Sequence, residues 1–219
     1  MRKFFLASAA AAAPFVPSAA FAHHPLGGMP METFAHGMLS GIGHPLLGFD
    51  HLFFVALVGI AALFTGHRLA TPGAYIAAMI IGCLAMSMGV GLPAKEIVIG
   101  LSLLALGGIV LSGKALGMIP AMAIFAAFGL FHGSAFGDSI VGQEGAIGGP
   151  VLMGYLIGLG AVQYAVAVGA GWFASNVLQA SHAGAVQARL SGAVVAGVGL
   201  FLTLENVEGV VFDLMGWAS

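Results

Sequence analysis

The 219-residue chain is 60% hydrophobic and only 6% charged, with a mean hydropathy of +1.06. A soluble domain carries roughly 25% charged residues, so water cannot wet most of this surface and a polytopic membrane protein is implied. The net charge of -2 excludes the basic footprint of a nucleic-acid binder, and a single cysteine, Cys83, excludes an intramolecular disulfide.

The first element is an address. Arg2 and Lys3, the apolar alanine-rich run 4–16 and Ala20-Phe21-Ala22 supply the charged region, apolar region and A-x-A cleavage site of a secretory signal peptide, residues 1–22. Cleavage would start the mature chain at His23, outside the cytoplasm. His23, His24 and His36, with Met29, Met31 and Met38, then form an outer group. A new terminal amine beside two imidazoles is a good borderline-metal ligand set, and a flexible tail is the plainer role.

Cutting the apolar runs at polar, Gly or Pro breaks predicts six spans, at about 46–65, 73–91, 96–112, 118–137, 150–173 and 191–212. Residues 23–219 are thus one six-span membrane domain. Strand-like alternation is absent, so the expected fold is an all-α polytopic bundle of six transmembrane helices after a cleaved signal peptide. Glycine and alanine, including Gly154-x-x-x-Gly158, suit close helix packing in lipid.

With the amino terminus outside, the connectors after spans one, three and five hold Arg68, Lys114 and Arg189, and only Lys95 falls outside. That follows the positive-inside rule and places both termini in the periplasm of a bacterial inner-membrane protein. Glu32, Asp50, Glu96, Asp138, Glu144, Glu205, Glu208 and Asp213 all fall in the outer half, which therefore attracts cations.

The first span opens on His44-Pro45-Leu46-Leu47-Gly48-Phe49-Asp50-His51. Ionisable groups at the mouth of a span are costly and point to function. On a straight helix His44 and His51 share a face about 10 Å apart along the axis, too far to hold one ion together, so a ladder from His44 to Asp50 and His51 is expected. His51 lies about 8–9 Å inside the first span and His132 about 7–8 Å from the outer end of the fourth, near Gly137, so the two imidazoles share a layer. Glu205, about 10 Å below the end of the sixth span, is a further member. Imidazole favours nickel, copper, cobalt and zinc, and a lone carboxylate without thiolate allows release, as permeation requires. The plainer roles are capping for His44 and Asp50, an interhelical hydrogen bond for His132 and snorkelling for Glu205. His67 and His182, in cytoplasmic connectors, are either solvated or exit ligands.

His44-(x5)-Asp50-His51 resembles the His-x5-Asp-His signature of the HupE/UreJ family, and Phe131-His132-Gly133-Ser134-Ala135-Phe136-Gly137 is similar to its second signature, Phe-His-Gly-x-Ala/Val-x-Gly-x-Glu. Order and spacing agree, and the resemblance covers essentially the whole chain. It implies a nickel permease, with cobalt carried by some members, associated with hydrogenase or urease maturation. One departure stands out. The final Glu of the second signature is Ser139 here, with Asp138 and Glu144 as the nearby acids.

No G-x-x-x-x-G-K-S/T loop occurs, so the chain does not drive transport by its own nucleotide hydrolysis, and no ATPase partner can be deduced. The expected partners are a divalent metal ion and membrane lipid; no cofactor is expected, the metal being cargo. Two other classes remain. One is an intramembrane zinc hydrolase using Ser134 or metal-bound water, although no H-E-x-x-H or G-x-S-x-G is present. The other is an accessory protein that binds metal without transporting it.

Overall fold

A computed structural model describes residues 31–141 and 148–217. The proposed signal peptide, His23, His24 and Glu144 lie outside the described residues. Seven helices follow in order: α1 (Phe34–Leu47), α2 (Phe49–Leu63), α3 (Thr71–Ser87), α4 (Lys95–Leu111), α5 (Met118–Val141), α6 (Gly149–Asn176) and α7 (Val186–Met215), with no strand among the described residues. The chain is a helical membrane protein. α5, α6 and α7 are each long and apolar enough to cross a bilayer alone.

The beginning of the bundle differs from the straight span expected at 46–65. Thr33 caps α1 by accepting from the His36 N–H, and α1 ends where Gly48 turns extended (φ -86°, ψ 96°). α2 restarts at once, bent 83° from α1, and the two helices satisfy the length and hydropathy of one span only as a pair. The expected span thus covers the last residues of α1 and all of α2, two helices with a break between them. Pro45 lies in the last turn of α1 and does not begin a helix.

Glycine sets which helices touch and in which direction. A Cβ on Gly37 would fall 2.1 Å from the Val151 carbonyl oxygen, and Cβ atoms on Gly154 and Gly158 would fall 2.2 and 2.4 Å from the Phe34 and Met38 carbonyl oxygens. Residue numbers rise together along this seam, so α1 runs parallel to the first half of α6. α3 and α5 are joined likewise, with Gly129 against Tyr75 and Gly133 against Met79. α4 and α7 are antiparallel, with Gly100 against Thr203 and Gly192 against Leu111. Backbones this close gain dispersion in a solvent as apolar as the side chains themselves.

α2 occupies the middle. Phe54, Leu57, Val58 and Ala62 are fully buried, and the helix packs on α6, α4 and α7 as well as on α1. These directions bring the starts of α1, α4 and α6 to the same side as the ends of α3, α5 and α7. The break at Gly48 borders a space that α4, α5 and α7 also line, while Leu47 and Phe49 beside it are exposed.

Candidate functional site

The break creates the site. His44 stands in the last turn of α1, and Asp50 and His51 in the first turn of α2. The 83° bend therefore replaces the straight helix, with its roughly 10 Å axial separation, by a common wall lined by all three side chains. A vestibule of about 640 Å³ is lined by His44, Asp50, His51, Glu96, Asp138 and Ser139, with Val198 and Leu202 of α7 closing one side. Gly48 lies close to both side chains, since a Cβ there would meet His51 Cδ2 at 3.1 Å and an Asp50 carboxylate oxygen at 3.3 Å.

Phe136 holds the two histidines of this wall. The His51 ring packs on it at 4.1 Å between centroids, and the His44 ring meets its edge at 5.6 Å. The two imidazoles thus have one aromatic plate between them, which fixes their orientation without using their nitrogens.

His132 stands behind His51. The Nδ1 atoms of the two rings are 2.7 Å apart, and His132 Nε2 lies 2.9 Å from Ser102 Oγ. Phe54 stacks on His132 at 4.4 Å and Tyr75 meets it edge-on at 6.0 Å. His132 is fully buried and does not line the vestibule. Because α5 continues to Val141, it is about 13–14 Å from that helix end, deeper than the span ending at Gly137 implied. The sequence brought His51 and His132 to one layer; the structure brings them into contact.

The outer acids divide into two groups. Asp50 Oδ2 lies 3.8 Å from His51 Nε2. Asp138 is held by Lys95, whose Nζ donates to Oδ1 at 2.6 Å and also to Oδ2. Ser139, at the position where the second signature has Glu, donates to the Phe136 carbonyl at 2.7 Å and lies 3.1 Å from the Tyr155 hydroxyl. Glu96, in the first turn of α4, shares the vestibule and was not among the expected site residues.

Two expected members stand apart. Glu205 is exposed on α7, and the lining of the vestibule stops at Leu202, one turn before it. His36 belongs to the start of α1, where its N–H donates to Thr33 Oγ1 and its Nδ1 accepts from the Glu32 N–H. Among the described residues no three His, Cys, Asp or Glu side chains converge as a metal cage. The site is instead a row of paired groups along an open wall.

Fold and site together define a helical membrane protein with a sharply bent helix pair whose adjoining ends present imidazole and carboxylate to an acidic vestibule. A family model described as HupE / UreJ protein matches residues 11–202. Protein HupE of Rhizobium leguminosarum bv. viciae is 30% identical over 193 residues, 87% of this chain and 93% of the relative. The chain belongs to the HupE/UreJ family. No solved structure matches it.

Proposed function

We propose that this chain is an inner-membrane permease that takes up a divalent transition metal, Ni2+ first and Co2+ second, from the periplasm for hydrogenase or urease maturation. The observation that carries the reading is the Asp50–His51 pair at the helix break. Asp50 Oδ2 and His51 Nε2 are 3.8 Å apart, less than two metal–ligand bonds of about 2.1 Å laid end to end, so one ion can touch both. Half-helix ends at a break are places where membrane proteins hold ions. A pair, unlike a closed four-ligand set, binds without trapping, as a permeation path needs.

In this reading α1 and α2 form one broken crossing and α3 to α7 the other five, after cleavage of residues 1–22, with both termini periplasmic. Asp50 and Glu96 then draw cations into the vestibule, and an inward-negative potential supplies about 2.3 kcal/mol per charge per 100 mV. A hydrolase finds less support. Catalytic zinc takes three protein ligands plus water, whereas the described residues offer pairs, and Ser134 Oγ is buried and accepts from the Leu92 N–H.

The test is uptake into proteoliposomes under an imposed potential, compared across Ni, Co, Cu, Zn and Mn. Saturable uptake led by nickel is expected, lost in Asp50→Asn and His51→Ala at matched insertion. Normal uptake by both variants would overturn the assignment.

A further inference from the structure

Ser102 lies on α4, away from both sequence signatures, yet it is fully buried against His132. Its Oγ is 2.7 Å from the Ile99 carbonyl oxygen, which can only accept, so the single hydroxyl hydrogen is committed there. The same Oγ is 2.9 Å from His132 Nε2. With its hydrogen spent, it faces that nitrogen as an acceptor, and His132 must carry its proton on Nε2. The neutral ring then has a bare lone pair on Nδ1, directed at His51 Nδ1 2.7 Å away. That contact needs one proton, which must come from His51. His51 is thereby left with an unprotonated Nε2, the atom 3.8 Å from the Asp50 carboxylate.

We infer that Ser102 is a positioning residue that, through His132, fixes the tautomer of His51 so that its bare Nε2 and the Asp50 carboxylate face the vestibule together as a ready cation site. The inference rests on the permease reading and says which atom of His51 takes the metal. Without a cation, a lone pair and a carboxylate face each other unfavourably, so the arrangement gains from cargo. The hydrogen-bond chain is dry: Ser102 and His132 are fully buried and His51 is 8% exposed, so water does not compete for the acceptors. Outer hydrogen-bond partners of this kind fix the ligating nitrogen of a histidine.

The experiment uses the full chain in nanodiscs, labelled with 15N-histidine and free of metal, with His51 and His132 assigned by single substitution. The chemical shifts should show His51 protonated on Nδ1 and His132 on Nε2. Ser102→Ala, which removes the acceptor, should shift His132 toward the Nδ1–H form and His51 toward Nε2–H, while Ser102→Thr, which restores the hydroxyl, should keep the original pair. In proteoliposomes Ser102→Ala should raise the nickel concentration for half-maximal uptake about 10–100-fold, with a smaller change in maximal rate, and Ser102→Thr should rescue it. A wild-type His51 protonated on Nε2, or unchanged tautomers and half-saturation in Ser102→Ala, would overturn the inference. Normal uptake by His51→Ala would instead bring down the permease site itself, whatever the tautomers.

Discussion

His51 Nδ1 and His132 Nδ1 lie 2.7 Å apart, so each imidazole uses that nitrogen on the other. His132 spends its second nitrogen on Ser102 and retains none for a metal. His51 retains Nε2. On the permease reading the two histidines of the family signatures therefore differ in rank, one touching cargo and the other holding it in place. His51→Ala should abolish nickel uptake, whereas His132→Ala should leave saturable uptake with affinity weakened about 10–100-fold. Concentration series on the two variants at matched insertion check this; equal, complete loss in both would place a metal on His132 as well.

The acids of the vestibule should also differ. Asp138 is neutralised by Lys95, so replacing the pair together, Asp138→Asn with Lys95→Met, should change nickel affinity by less than about threefold because the net charge of the vestibule is unchanged. Glu96 lines the same space, and Glu96→Gln should weaken capture more, with the difference shrinking in about 1 M salt as the field is screened. Initial uptake rates at low and high ionic strength distinguish the two. A paired Asp138 and Lys95 variant weaker than the Glu96 variant would reverse the assignment of the working acid.

The sequence made the candidate site residues legible and their arrangement only partly so. Asp50 and His51 were visible because charge inside an apolar run has few structural reasons to exist, and the helices from α3 to α7 lie within a few residues of the spans expected from apolar runs. α1 was missed because FAHGMLSGIGHPLL mixes glycine, histidine and proline over only 14 residues, too short and too polar for a span search. The bend at Gly48 has no periodicity of its own. Ser102 and Glu96 were illegible as site members for another reason: hydropathy finds a helix but leaves open which face turns toward which neighbour. Only the glycine seams of α4 on α7 and α3 on α5 decide that, and they are tertiary facts.

Those seams predict stability. A Cβ at Gly59 would fall 1.8 Å from the Ala167 carbonyl oxygen, and one at Gly133 would fall 1.9 Å from that of Met79. Backbone cannot yield as a side chain tip does, so Gly59→Ala and Gly133→Ala should each cost about 1–3 kcal/mol or more. Gly108 and Gly197 meet open space in the same helical setting, and alanine there should be neutral or stabilising, since glycine costs roughly 1 kcal/mol in a helix interior. Thermal unfolding in one detergent ranks the four. Equal stability across the set would mean that the helices do not approach as closely as described.

External pH should act on capture with a definite sign. Nickel binds an imidazole only through an unprotonated nitrogen, so on the permease reading protons compete with metal at His51 Nε2 and at His44, and each imidazolium formed also offsets the negative field of the vestibule. Both effects weaken capture as pH falls. The nickel concentration for half-maximal uptake should therefore rise as the pH falls from about 7.5 to about 5.5. The measurement needs equal pH on both sides of the proteoliposome and a clamped potential, so that a proton gradient neither drives nor opposes the ion, and free nickel must be held constant across the series. Half-saturation that stays flat would show that no titrating nitrogen takes part in capture. Uptake that rises under acid, or net efflux from loaded vesicles at the same potential, would show that the vestibule releases metal instead of collecting it.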